Sequence, residues 1–283
     1  MTDILLFGGY KRRSSFRSLS LVNQRWTRMR DLPSERSDHG SVTIGQNAFV
    51  FGGYHNKNID RYDKYTNTFQ TVNTMNEFRC EFGICTIKGK VLISGGRDEK
   101  GLKLKSCSLF YPISNIFLPK ANMKVKRSGH ALVNINDKFV FSIGGYNDQD
   151  SFLNSIEKYD PETDVWTIVD LKLNIARENH QAVAYNHCIY VFGGSTRNNV
   201  NASDTIEKIN TATETTILIK TRLKVARESF ALAKVDNNAY ILGGFTSNSV
   251  ATDTVEIFNI ENETITSGIN VPFADYNISA CVL

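Results

Sequence analysis

The sequence predicts an all-β chain folded as a six-bladed propeller with four antiparallel strands per blade, and three observations predict it. An apolar run ending in two adjacent glycines occurs six times, with doublets starting at Gly8, Gly52, Gly95, Gly144, Gly193 and Gly243. Successive doublets lie 44, 43, 49, 49 and 50 residues apart, the period of a four-stranded radial repeat. Wrapping the C-terminus onto the first doublet gives a further spacing of 48, so the array closes on itself.

The second repeat shows the elements in order. "HGSVTI" (39–44) alternates as a strand, "GQN" turns, "AFVF" (48–51) is a second strand, "IDRYD" (59–63) a third and "TFQTV" (68–72) a fourth. No stretch carries a capped apolar stripe of helical period, so helices should be nearly absent. The doublet closes the second strand, where the chain turns sharply near the hub and both positive φ and a missing Cβ are useful. Only seven residues precede Gly8, room for the single strand "ILLF", while 39 follow Gly244, enough for three strands. The C-terminal "NISACVL" (277–283) is therefore expected to pair beside "ILLF" as the first strand of that blade. Such closure removes an open sheet edge, and residues 1–283 read as one propeller domain.

Composition excludes several function classes. The chain has 283 residues, 41% of them hydrophobic, and a net charge of +4 with acids and bases interspersed. Nothing here resembles a basic nucleic-acid stripe or an acidic tail. The N-terminal "MTDILLFGG" has an apolar run of four residues and no basic flank, so neither a signal peptide nor a membrane span is expected. Five cysteines make an odd set for a disulfide framework, and Cys85, Cys188 and Cys281 fall within strand patterns. Small buried thiols in a reducing compartment, cytoplasmic or nuclear, follow.

The doublets, Tyr62-Asp63, Tyr159-Asp160 and "YDPETDVW" (159–166) resemble the kelch repeat, and the resemblance covers the whole chain. The tryptophan of that repeat survives as Trp26 and Trp166, with Phe69, Phe117, Thr216 and Ile265 in its place elsewhere. The fourth repeat is nearest the pattern, and the first and fifth diverge most. The resemblance implies a non-catalytic protein-interaction module. Kelch propellers often form the substrate-recognition end of cullin ubiquitin-ligase adaptors, with BTB and BACK domains ahead of them that this sequence does not contain. Others bind actin through side surfaces, and a few kelch-type propellers are enzymes acting on small sugars or metabolites.

Catalysis finds little support in the residues. His39, His130 and His180 stand 13 or 14 residues ahead of their doublets on three different blades, a structural register rather than a metal set. No G-x-S-x-G, Walker A or H-E-x-x-H pattern is present. No catalytic residue, metal or cofactor is expected.

The candidate binding residues come in two rows. Arg36, Arg79, Arg127, Arg177 and Arg227 recur 16 or 17 residues before each doublet, with Ala274 or Asp275 at that place in the remaining blade. Such an arginine either bridges blades or reads a ligand. The resemblance implies that these lips, together with the loops after the glycines, form the mouth that receives a protein or peptide segment. Beside the arginines this places Ser37, Asp38, Glu81, Ser128, Glu178, Asn179, Glu228 and Ser229. The loops contribute Tyr10, Tyr54, Arg97, Tyr146, Arg197 and Phe245, and aromatic and arginine side chains on scaffold-held loops are common interface anchors. Asp38, Glu81, Glu178 and Glu228 put an acid at four of six lips, so a lysine- or arginine-bearing partner is expected.

Overall fold

The computed structural model describes residues 2–196 and 202–283, and among them there is no helix. The chain is a six-bladed β-propeller with four antiparallel strands per blade. It divides into two compact units of three blades each, one formed by Met1–Cys80 with Ser229–Leu283 (the terminal unit), the other by Glu81–Glu228 (the mid-chain unit).

In the mid-chain unit, blade 3 runs Gly83–Ile87, Lys90–Ser94, Cys107–Tyr111 and Ile116–Lys120. Blade 4 runs Ala131–Ile135, Phe139–Ile143, Ser155–Asp160 and Val165–Lys172. Blade 5 runs Gln181–Tyr185, Cys188–Phe192, Thr205–Asn210 and Thr215–Arg222. In the terminal unit, blade 2 runs Gly40–Ile44, Asn47–Phe51, Asn58–Asp63 and Thr68–Thr74. Blade 6 runs Ala231–Val235, Asn238–Leu242, Val255–Asn259 and Thr264–Ser267.

Blade 1 is built from both ends of the chain. Asp3–Phe7 pairs on one side with Phe16–Ser20, which leads to Arg25–Arg28, and on the other with Ser279–Val282. Leu5 faces Cys281 and Phe7 faces Ser279, which is the closure that the wrapped spacing predicts.

Second strands are covered on both faces, and their sequences show it. Val91, Leu92 and Ile93 are fully buried, as are Ile189, Val191 and Phe192, and a fully covered strand reads as a continuous apolar run. Fourth strands are largely open to solvent, with no fully buried residue in Thr68–Thr74. Neighbouring blades share their cores. Tyr159 and Trp166 of blade 4 pack with Leu92, Cys107 and Leu109 of blade 3, and Phe7 and Phe16 of blade 1 pack with Val50 and Tyr62 of blade 2. The tryptophan register holds in every blade. Leu19, Tyr62, Phe110, Tyr159, Ile209 and Phe258 on the third strands face Trp26, Phe69, Phe117, Trp166, Thr216 and Ile265 on the fourth.

Candidate protein-interaction site

The doublet and the arginine row prove to be two halves of one joint. The second glycine of each doublet donates its N–H to the backbone carbonyl at the next lip. Gly96 bonds Arg127 at 2.9 Å, Gly145 bonds Arg177 at 2.8 Å and Gly194 bonds Arg227 at 2.9 Å. In the terminal unit Gly9 bonds Arg36, Gly53 bonds Arg79, and Gly244 bonds Asp275 at 2.8 Å. Asp275, not Ala274, therefore holds the arginine's place. The first glycine has no room for a side chain, since at Gly144 (φ +60°) a Cβ would lie 2.8 Å from both the Arg177 carbonyl oxygen and His180 Cε1.

The five lip arginines are buried, at 0 or 1% exposure, and their guanidinium groups are engaged inside the blades. Arg127 donates to the Gly144 carbonyl at 2.7 Å and to Glu157 at 2.9 Å. Arg177 makes the same pair of contacts with Gly193 and with Glu207, the latter at 2.7 Å. Arg36 binds Asp60, and Arg79 pairs with Glu77. Two of the buried acids also accept backbone N–H groups, Glu157 from Lys124 and Val125 at 2.6 and 3.0 Å, Glu207 from Asn174 and Ile175 at 2.7 and 3.2 Å, while Asp60 accepts from Thr71 Oγ1 at 2.6 Å. A buried ion pair held this way is tolerable because its remaining lone pairs are satisfied. Arg36, Arg79, Arg127, Arg177 and Arg227 thus belong to the framework; as candidate binding residues they are corrected, because a fully buried guanidinium has no face left for a partner.

The histidines of the repeat belong to the same joint. His39 and His180 are buried against the preceding blade's doublet. Burial, seconded by the adjacent Arg36 and Arg177, lowers their pKa to about 3, so both are neutral near neutral pH. His130 contacts Ser94 Oγ through Nε2 at 3.0 Å. Among the described residues no group of three histidine, cysteine or acidic side chains is placed to hold a metal.

What the lips expose is a different set of atoms. The second residue after each arginine position has positive φ, between 54° and 60°: Asp38, Glu81, Gly129, Asn179, Ser229 and Asn277. These residues link blades through the backbone. Gly129 donates to Glu81 at 2.9 Å and Asn179 to Gly129 at 2.7 Å, while in the terminal unit Asn277 donates to Ser229 at 2.8 Å and Asp38 to Asn277 at 3.2 Å. The left-handed turn holds the neighbouring side chains at a fixed place on each lip.

In the mid-chain unit those side chains are acids. Glu81, Glu178 and Glu228 are half-buried, and Glu81 lies close enough to raise the pKa of both Glu178 and Glu228. Glu81 forms an ion pair with Arg97 at 2.6 Å, and Glu228 accepts from Asn179 Nδ2 at 3.2 Å. Burial and then the Glu81 charge push Glu178 up to about 7. Its Oε2 is buried with no hydrogen-bond partner among the described residues. Lys103, not anticipated from the sequence, stabilises the charged forms of Glu81 and Glu178.

In the terminal unit the corresponding surface is aromatic. Tyr276, which follows Asp275, stacks on Tyr10 at 5.0 Å and lies 4.9 Å from the Phe245 ring. Tyr10 and Tyr54 are each 49% exposed, and Tyr54 packs edge-on against His55 at 4.1 Å. Ser37 is buried and donates to Asp38 at 3.0 Å, and Ser229 is half-buried. Ser128 is fully buried in the mid-chain unit, and Tyr146 is half-buried against Phe152 at 5.7 Å. Arg197 lies outside the described residues.

A family model described as the KLHDC2/KLHL20/DRC7 Kelch-repeats domain matches residues 129–282, more than half of the chain, and one described as the Kelch motif matches residues 35–76. The chain belongs to the kelch-repeat family. Kelch-like protein 36 of Rattus norvegicus is 29% identical over 187 residues, which cover 62% of this chain and 30% of that protein. Kelch domain-containing protein 3 of Homo sapiens is 28% identical over 200 residues, 60% of this chain and 51% of that protein. The Kelch repeat and BTB domain-containing protein 1 of cowpox virus (strain Brighton Red) is 26% identical over 150 residues, half of this chain and 25% of that protein. The chain thus spans about half or less of each of these relatives. As a kelch-repeat chain it is a protein-interaction module, and its exposed lips and doublet loops are the surfaces that differ from blade to blade.

Proposed function

We propose that this kelch propeller is a non-catalytic recognition module that binds a protein segment carrying lysine or arginine, and that Glu81, Glu178 and Glu228 receive the cation. The observation that carries this reading is Glu178, a carboxylate withdrawn from water with one oxygen unpartnered. A buried acceptor without a donor is unfavourable in the free protein, and a partner ammonium or guanidinium would satisfy it. Arg97 and Lys103 offset only part of the charge of three carboxylates.

Peptide display against the folded protein tests this. A class of lysine- or arginine-bearing peptides should be selected and should lose at least about tenfold in affinity for the E178Q/E228Q variant. Selection without that class, or a class indifferent to E178Q/E228Q, would contradict the assignment. The cowpox relative is a Kelch repeat and BTB domain-containing protein, and this favours a second, narrower reading, that the segment bound is a substrate presented to a cullin ubiquitin ligase. Co-purification of a cullin with the full-length gene product checks it.

A further inference from the structure

Apart from the glutamate cluster, the mid-chain unit holds a cleft of about 540 Å³ with charge of the opposite sign. Lys103 and Lys105 reach it from the loop after the blade 3 doublet, Lys124 and Lys126 from the segment ahead of Arg127, and Asp148 and Asp150 from the hairpin after the blade 4 doublet. Four lysines against two aspartates leave a local excess of two positive charges. Lys103 Nζ is engaged, 2.6 Å from Asp148 and 5.3 Å from the Tyr146 ring centroid. Lys105, Lys124 and Lys126 have no ion-pair partner among the described residues.

The walls of the cleft are fixed by backbone bonds. Met123 N–H donates to the Lys105 carbonyl at 2.9 Å and Arg127 N–H to Leu104 at 3.0 Å. The N–H groups of Lys124 and Val125 are both held by the buried Glu157 carboxylate. The backbone that carries these three exposed lysines is thus fixed, and like charges gathered at one cleft attract an anion.

We propose that this cleft binds an anionic segment of a protein, through carboxylates or through a phosphorylated side chain, as a site separate from the glutamate cluster. A polynucleotide is the poorer fit. Asp148 and Asp150 sit on the rim and would repel a continuous phosphate backbone, and phosphate-tracking proteins need an extended run of bases, whereas this chain intersperses its acids and bases at a net charge of +4.

Fluorescence anisotropy on the full chain tests the proposal with three labelled probes of equal length: a glutamate-rich peptide without lysine or arginine, an otherwise neutral phosphoserine peptide, and single-stranded DNA. The expected result is saturable, salt-sensitive binding of one or both peptides, weakened at least about tenfold in K105E/K124E/K126E and not weakened in E178Q/E228Q. Whichever peptide binds identifies carboxylate or phosphate as the source of the anion. If the triple reversal fails to fold, K124Q/K126Q should weaken binding in the same direction. Failure of both peptides to bind, equal binding by the variants, or tighter binding of the DNA would overturn the proposal. Loss of binding in E178Q/E228Q would do so too, by making the two sites one.

Discussion

The blades of the mid-chain unit and those of the terminal unit use one backbone lip and dress it differently. In both units a left-handed residue passes its N–H to the preceding lip, and the doublet's second glycine is caught by the residue two positions earlier. Yet Glu81, Glu178 and Glu228 gather on one unit, and Tyr10, Tyr276 and Phe245 on the other. The joint is backbone chemistry, so side chains beside it are free to vary. The framework itself varies in blade 3, where Ser108 holds the acid's place and Arg79 turns to Glu77, and most in blade 1. There Asp275 replaces the arginine and accepts N–H groups of Lys11 and Arg12 at 2.9 Å each, while Arg17 stands where Glu157 and Glu207 stand and lies over the Phe273 ring at 5.2 Å. Charge at this place is needed to tie down a loop, and either sign does it.

The largest effect should come from removing the element that only the terminal unit has, a blade made from both ends of the chain. Deleting residues 277–283 takes away a strand with buried Ile278 and Cys281 and bares the edge of Asp3–Phe7. Buried apolar side chains contribute roughly 1.5–3 kcal/mol each, against a total stability of about 5–15 kcal/mol. No cooperative melting transition is expected by calorimetry, and a truncated protein melting at the parent temperature would break the two-ended blade.

A smaller effect separates the two framework devices. Arg177→Met strands Glu207 as a buried unpaired charge and should cost about 3–5 kcal/mol. Asp275→Asn keeps an acceptor oxygen for only one of the two loop N–H groups, Lys11 on Oδ1 or Arg12 on Oδ2, and should cost about 1–2 kcal/mol. Urea unfolding of both variants measures the difference, and equal losses would mean that the ion pair and the carboxylate–amide joint are interchangeable.

The smallest stability effect marks the mid-chain lips as built for binding. Glu178 holds its proton up to about pH 7 in the folded state, well above an unfolded glutamate, so folding is favoured below the unfolded value and loses stability as pH rises toward and through 7. Glu178→Gln should therefore melt a few degrees higher than the parent at pH 8, about 1–2 kcal/mol after discounting for residual solvent access, and show no gain at pH 4. Thermal melts at the two pH values check both.

Much of the fold was legible because it is periodic. The doublets fix the second strands, and from them the tryptophan position follows even where Thr216 or Ile265 occupies it. The role of the arginines was not legible, because the acids of Arg36, Arg127 and Arg177 (Asp60, Glu157 and Glu207) lie on third strands 24 to 30 residues away. The left-handed row stayed hidden for another reason. Aspartate, glutamate, glycine, asparagine and serine share no side-chain signal, since only φ is common to them. Tyr276 escaped notice because no arginine marks its lip. The lysine cleft escaped because three separate loops assemble it.

The most direct test of the acidic lip as a cation reader is the pH dependence of its binding. A lysine-bearing peptide from the display selection, titrated calorimetrically, should bind the parent protein up to about tenfold more tightly at pH 8 than at pH 6 as Glu178 ionises. Glu178→Gln should bind weakly with no such rise. Affinity that is flat with pH in the parent, or that rises equally in Glu178→Gln, would contradict the assignment of Glu178 as the residue that receives the cation.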